Sequence, residues 1–420
     1  MGPYRKCLDK LVSLKAGIAL GSVLLLVFAG AGPARAQTRN VDCGAGETIA
    51  NALQGRPGTL TLIITGVCNE NVTVTRDDVT LVAGAGGGTV NGADPSADTI
   101  TVSADRVRID GLEVTGGNSG INAIGAGNLK IENCDVHNAG RYGILIGGGS
   151  KATIHDCTVQ SNGRIGIAIS GSAAATVTSS TISSNTRDGI LILGGYGQIG
   201  VNDRFDAALG NTISNNGGPG ITVLTGGSAQ LVANTISGNG TDPAQARFGI
   251  SVGQASANIH GGNTITGNNG HGVSVNASSV SIGGTAVATI VGLPVVTISG
   301  NGTAVANSSG VRGFNGASIA ITQTTISGTL NNGRGITLDL QSRVSLFGSN
   351  VQVVNNTLDG IAVSTGSAVF FGTPVGTPAT VTGNGGFGLN CAGSESSFSG
   401  DTSGIALNTA GQISGTCTGF

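Results

Sequence analysis

Residues 140–190 read GRYGILIGGGSKATIHDCTVQSNGRIGIAISGSAAATVTSSTISSNTRDGI. Within this stretch Gly143, Gly166 and Gly189 each open a Gly-Ile dipeptide, and they are spaced by 23 residues. Ahead of the second and third dipeptides stands another element, small-x-(Ile/Val): Cys157-Thr-Val159 and Ser180-Thr-Ile182. Working outward, the Gly-(Ile/Val/Leu) pair recurs at Gly120, Gly220, Gly249, Gly272, Gly310, Gly335, Gly360 and Gly388. The second element recurs as Cys134-Asp-Val136, Asn211-Thr-Ile213, Asn234-Thr-Ile236 and Asn263-Thr-Ile265. Self-similarity at a period of 20–50 residues signals stacked units rather than a single rolled-up core.

Strand geometry gives the repeat a physical meaning. Side chains alternate along a short strand, so the Asn/Cys and Ile/Val positions face inward and the Thr between them faces outward. Stacking one coil on the next at about 4.8 Å places like residues over like. Inward Asn amides then bond to one another as a ladder and satisfy their buried polar groups. Glycine supplies the positive φ expected at the turns. No coil buries its own apolar edge, so stability comes from neighbouring coils. Eleven marked coils, with about two more before Gly120, predict a rod on the order of 60 Å long.

Period, inward Asn and Gly-Ile turn together resemble the right-handed parallel β-helix repeat of the pectin-lyase-like superfamily. The opening LVAGAGGGTVNG and DTITVSADRVRIDGLEVTGG segments are similar to the first coils of that family. The resemblance implies an all-β, single-stranded right-handed parallel β-helix of about 11–13 coils. The handedness comes from the resemblance alone.

Composition agrees with a solenoid and excludes several alternatives. Glycine accounts for 75 of 420 residues, only 10% of residues are charged, and there is no Trp. Glycine is not every third residue, against collagen, and so much Gly with so little Lys, Glu and Met disfavours a helical bundle. Arg5, Lys6, Lys10 and Lys15, an apolar run from Ala16 to Ala29, and Ala34-Arg35-Ala36 make residues 1–36 a cleaved export signal. Cleavage leaves 15 basic and 21 acidic residues, a net charge of −6. That balance opposes nucleic-acid binding, which needs a basic field. No membrane span is expected after cleavage, and the location expected is secreted, periplasmic or cell-surface.

Six cysteines remain, an even number that suits an oxidising compartment. Residues 37–70 are expected to form an N-terminal cap, with Glu47–Leu53 a short helix over the first coil and Cys43 and Cys68 as its clamp. Residues 71–390 carry the coils, and residues 391–420 form an irregular C-terminal cap held by Cys391 and Cys417. Cys134 and Cys157 occupy the inward position of consecutive coils, as a disulfide or as stacked thiols.

Chemistry is harder to read. The resemblance implies activity on acidic polysaccharides, through carboxylates, calcium and a basic residue in lyases, or through Asp pairs in polygalacturonases. Asn269-Gly270-His271-Gly272 is similar to the polygalacturonase Gly-His-Gly signature, but the accompanying Asp pair and Asn-x-Asp element are missing. His271 therefore reads as a variable position before the repeat glycine. The ladder register stacks Glu113 beneath Asp135, a carboxylate pair able to share a proton or hold calcium. Asp110, Glu132 and His155 form a second outward column. Arg141, Arg164 and Arg187 form a third, spaced by 23 residues, suited to forked bonds with glycan carboxylates or sulfates. The best catalytic candidates are Asp135, Glu113 and Arg164. The insertion from Tyr196 to Leu209, bearing Asp203, Arg204 and Asp206, is placed to overhang such a site. The function expected is a scaffold or adhesive binding a polysaccharide or cell-surface glycan; the alternative is a lyase, hydrolase or epimerase on an acidic glycan.

Overall fold

The computed structural model describes residues 36–420 apart from 56–57, 285–289, 291, 330–332, 349, 373–377, 394, 415–416 and 420. The expected export signal lies outside the described residues except for its last position. Among the described residues no helix is long and apolar enough to cross a membrane.

The chain is a parallel β-solenoid in which each coil lays down three short strands. One coil comprises Leu129–Glu132 on a first face, Asp135–His137 on a second and Tyr142–Gly147 on a third. The next repeats it with Lys151–His155, Thr158–Gln160 and Ile165–Ser170. The third face stacks into a 14-stranded parallel sheet, and the first two join in a 28-stranded one. The fourteen strands of the third face exceed the eleven marked repeats because two early strands, Val72–Val74 and Ile100–Val102, and the last, Gly411–Ile413, lack the marker. In the early coils the single strand Val79–Gly92 runs across both of the other faces, pairing with Arg108–Asp110 and then Glu113–Gly116.

The inward column is apolar and dry. Val114, Val136, Val159, Ile182, Ile213 and Ile236 succeed one another, all fully buried. Two polar ladders flank it at the corners. In the first, Asn211 donates through Nδ2 to Asn234 Oδ1 at 2.9 Å, and Asn234 donates likewise to Asn263 at 3.0 Å. The same column continues downward through Ser180, Cys157 and Cys134, each backbone N–H donating to the side chain above it. The second ladder, Asn162–Asn185–Asn216–Asn239–Asn268–Asn301, is made of Nδ2–Oδ1 bonds of 2.9–3.0 Å. It escaped sequence reading, although Ile/Val-x-x-Asn recurs in each of these coils.

The marker glycines have a different role from the one expected. Gly143, Gly166 and Gly189 do not adopt positive φ; a Cβ on Gly166 would stand 2.7 Å from both the Asn185 amide and the Gly189 carbonyl oxygen. Their requirement is close approach between coils. The left-handed turn falls just before the second ladder, at Asn138, Ser161, Ser184 and Asn215, with φ of 54–56°.

Regular strands enter both end segments. Gln37–Asp42 pairs in register with Leu60–Asn69, so the solenoid begins inside the stretch expected to be a cap. The helix is a single turn, Ile49–Ala52, with Ile49 in the core; Thr48 Oγ1 caps it, and Glu70 accepts the N–H groups of Ile49 and Ala50. The Cys43–Cys68 disulfide holds it there. At the far end Gly411–Ile413 extends the 14-stranded sheet and Thr418–Gly419 the 28-stranded one, clamped by Cys391–Cys417.

Candidate functional site

Register places the expected columns as read. Asp135 pairs with Glu113 on one side and Thr158 on the other, while Glu132 lies between Asp110 and His155. The side chains, however, are engaged locally. Glu113 accepts from Thr89 Oγ1 at 2.6 Å and lies 3.0 Å from His137 Nε2; those two bonds hold its carboxyl below the usual range. Arg108 bridges Asp110, at 2.9 Å, and Glu132, an ion-paired cluster that the sequence did not disclose. His155 Nδ1 lies 3.0 Å from Thr178 Oγ1. Calcium takes six to eight oxygen ligands; the Glu113 and Asp135 carboxylates carry only some of these, and both Glu113 oxygens are already engaged, by Thr89 and His137.

The insertion expected over Tyr196–Leu209 begins later, because Tyr196–Ile199 is a regular strand of the first face paired with Ala174–Val177 and Ser228–Leu231; the inserted loop is residues 200–209, away from that pair. Its Asp203 accepts from Thr176 Oγ1, and with Lys151, Thr153, Tyr196 and Gln198 it lines a recess of about 250 Å³. Val201 packs on Val232 and Ile290, so the loop has a small core of its own.

Arg141, Arg164 and Arg187 turn the corner onto the third face. Their backbones are bonded coil to coil: Arg164 N–H donates to the Arg141 carbonyl at 2.8 Å, and Arg187 N–H to that of Arg164 at 2.6 Å. Arg141 lies over the Tyr142 ring, 5.1 Å from its centroid, and Arg187 Nε donates to Gln245 at 3.1 Å. Among the described residues none of the three forms an ion pair, whereas Arg106, Arg108, Arg312 and Arg334 all do.

Immediately above this corner runs the position before each repeat glycine, or before its counterpart Thr99 in an early coil, and Asp98, Asp188, His271 and Asp359 sit there. Asp98 Oδ1 accepts the Ser119 N–H of the next coil at 3.0 Å, and its Oδ2 accepts from Asn122 at 2.6 Å. Asp359 repeats the arrangement with Phe387 N–H at 2.8 Å and Asn390 at 3.0 Å, plus Arg334 at 3.2 Å. His271 follows suit: its Nδ1 accepts Ser309 N–H at 2.8 Å, which leaves Nε2 as the protonated nitrogen of the neutral ring. Burial and Arg312 push its pKa down to about 4. His271 is thus a buried structural acceptor, in keeping with its reading as a variable repeat position.

Asp188 is the exception in this row. The residue above it is Pro219, confirmed by the Gly189 N–H donating to the Pro219 carbonyl at 3.0 Å. Among the described residues no group donates to its carboxylate. Burial raises its pKa to about 6, against the lowering influence of Arg187 and Arg164.

The two stacked parallel sheets define the class: a parallel β-helix. The family described as a right-handed β-helix region matches residues 64–205 and 199–293, and the chain belongs to it. Among solved structures, the A-module of a mannuronan C-5 epimerase from Azotobacter vinelandii is similar, with a TM-score of 0.51 at 15% identity, over 87% of this chain and 91% of that one. The Dettilon tailspike protein is similar at 15% identity and a TM-score of 0.47, covering 85% of this chain and 62% of its own. A pectate lyase aligns over 87% of this chain and 79% of its own at 13% identity, with a TM-score of 0.29. Identities this low speak to the fold alone. No curated protein matches the chain in sequence.

Proposed function

We propose that this chain is an exported β-helix protein that binds an acidic polysaccharide along its outer surface, as a secreted, periplasmic or cell-surface scaffold or adhesive. The observation that carries the reading is the Arg141–Arg164–Arg187 column: three arginines one coil apart, none of them ion-paired among the described residues. An extended polyanion offers that spacing a carboxylate repeatedly, and guanidinium grips carboxylate in a forked pair. Two disulfides at the ends suit an oxidising location.

A second reading, a lyase, hydrolase or epimerase on an acidic glycan, draws on Asp188, a carboxyl held near neutrality beside two arginines, as proton-transfer groups require. In that reading Arg164 remains a site residue, and Asp188 takes the part the sequence assigns to Asp135 and Glu113.

The test is to incubate mature protein with polyuronates, sulfated glycans and neutral glucans, with and without calcium. Binding and the release of unsaturated ends or reducing ends are measured together. Binding to acidic members that weakens with salt and falls at least tenfold in Arg141→Ala/Arg164→Ala/Arg187→Ala supports the first reading. Turnover establishes the second. Absence of both, or binding indifferent to the triple substitution, overturns the proposal.

A further inference from the structure

At the position before the repeat glycines, or before its counterpart Thr99, three acceptor side chains share an arrangement that Asp188 lacks. At Asp98, His271 and Asp359 an acceptor side chain reaches up to the N–H of the equivalent residue one coil on, namely Ser119, Ser309 and Phe387. At the two aspartates, a side chain three positions beyond that N–H, Asn122 or Asn390, supplies the second donor. Asp188 has the same surroundings: a Cβ on Gly218 would come 2.5 Å from its Oδ1, as one on Gly386 would come 2.3 Å from the Oδ1 of Asp359. Yet both internal donors are deleted. Pro219 has no N–H, and the residue three positions on is Thr222. Its side chain is 6% exposed, and its Oγ1 has no hydrogen-bond partner.

A buried hydroxyl without a partner is destabilising, and a half-buried carboxylate without a donor is more so. Both gaps occur on the same face, in adjacent coils, next to the arginine corner. An external group that donates to Asp188, bonds Thr222 and carries a negative charge toward Arg164 and Arg187 fills all of them. A hexuronic acid unit has that set of groups: ring hydroxyls beside one carboxylate.

We infer that Asp188 and Thr222, with Arg164 and Arg187, form a subsite for a single uronic acid unit of a bound polysaccharide. The sugar hydroxyls bond Asp188 and Thr222, and its carboxylate pairs with the guanidinium groups. Arg141, one coil further, holds the next anionic group of the chain. This inference rests on the acidic-glycan reading above and deepens it.

The experiment measures binding of defined oligouronates and of neutral oligosaccharides of equal length to the mature chain. Three variants are compared with the parent: Pro219→Ala, Thr222→Val and Asp188→Asn. Pro219→Ala is the decisive one, because it returns an N–H to the position where Ser119 and Phe387 serve Asp98 and Asp359. It is expected to satisfy Asp188 internally and weaken oligouronate binding at least fivefold while keeping or raising thermal stability. Thr222→Val, close in shape, is expected to weaken binding about three- to tenfold. Parent binding that persists unchanged in Pro219→Ala and Thr222→Val overturns the subsite and leaves the arginine column standing. Oligouronates that fail to bind the parent overturn both. A drop in affinity shared equally by neutral oligosaccharides also overturns the assignment to a uronic acid.

Discussion

Asn216 donates through Nδ2 to Asn239 Oδ1 at 2.9 Å, and its own Oδ1 accepts both the backbone N–H and the Nδ2 of Asn185. Nδ2 also donates to the Ile182 carbonyl. Every polar atom of this fully buried amide is used. Asn216→Ala strands donors and acceptors in a dry corner, each costing about 1–3 kcal/mol, so a loss of about 3–5 kcal/mol is expected in denaturant unfolding. Asn216→Thr should lose less, because Thr329 stands at an equivalent rung and bonds Asn356 Oδ1 through both N and Oγ1. Equal losses in the two variants would show that the ladder is not what holds the corner.

The two ladders show how far the sequence could be read. Asn211, Asn234 and Asn263 stand out because they precede the Thr-Ile pair in a fixed frame, and the structure joins them as expected. The second ladder was equally periodic but lay in a turn, where Asn is common for local reasons, so its burial went unread. The columns around Glu113 and Arg164 were legible because register follows directly from period. What the side chains do within a column was not. Arg108 neutralising Asp110 and Glu132 needs three-dimensional reach, and the meaning of Asp188 depends on a proline 31 positions later in the chain.

Asp188 is expected to make stability fall as pH rises. Its folded pKa of about 6 lies above the ordinary carboxyl value, so the folded state holds a proton that the unfolded chain has released between about pH 4 and 6. The groups facing it, Arg187 and Arg164, oppose this shift and are outweighed by burial. Above pH 6 the full penalty applies, on the order of 3 kcal/mol. Asp188→Asn should raise the melting temperature at pH 8 and leave it unchanged at pH 3.5. A variant less stable than the parent at pH 8 would contradict this.

His271 has the opposite slope. Burial, and secondarily Arg312, hold its pKa down at about 4, so from pH 6.5 toward 4 the unfolded chain takes up a proton that the folded state refuses. Stability contributed by the neutral ring is intact above 6.5 and is lost on acidification, by up to about 3 kcal/mol. His271→Gln should flatten that part of the curve. Because Asp188 and His271 act oppositely over pH 4–6, the parent profile is expected to look flatter there than either single variant.

Calcium is expected to matter little at Glu113 and Asp135 while His137 holds Glu113. Millimolar calcium should therefore leave the melting temperature of the parent within about a degree, following the scaling between small free-energy changes and melting temperature. His137→Ala frees the carboxylate beside Asp135 and is expected to introduce a calcium-dependent rise, abolished by adding Asp135→Asn. A calcium response already present in the parent and lost in Asp135→Asn would instead place the cation at this pair.

Cys134 and Cys157 are free and buried, and they serve as rungs of the first ladder. The Cys134 N–H donates to Cys157 Sγ at 3.5 Å, as the Cys157 N–H donates to Ser180 Oγ at 3.1 Å and the Ser180 N–H to Asn211 Oδ1 at 3.0 Å. What the column requires is an acceptor of modest size, so Cys157→Ser should cost less than Cys157→Ala, which leaves the Cys134 N–H without a partner, at about 1–3 kcal/mol. The hydrogen bond with the Cys134 thiol, and then burial, push the Cys157 pKa up, which suppresses its reactive thiolate. Thiol reagents are accordingly expected to label the mature chain at neither residue while folded and at both after denaturation without reductant. A single labelled site in the folded protein would refute the burial of the pair. No labelling after denaturation would mean that the two sulfurs are bonded, and the column would then be held by a covalent rung where the geometry shows a hydrogen-bonded one.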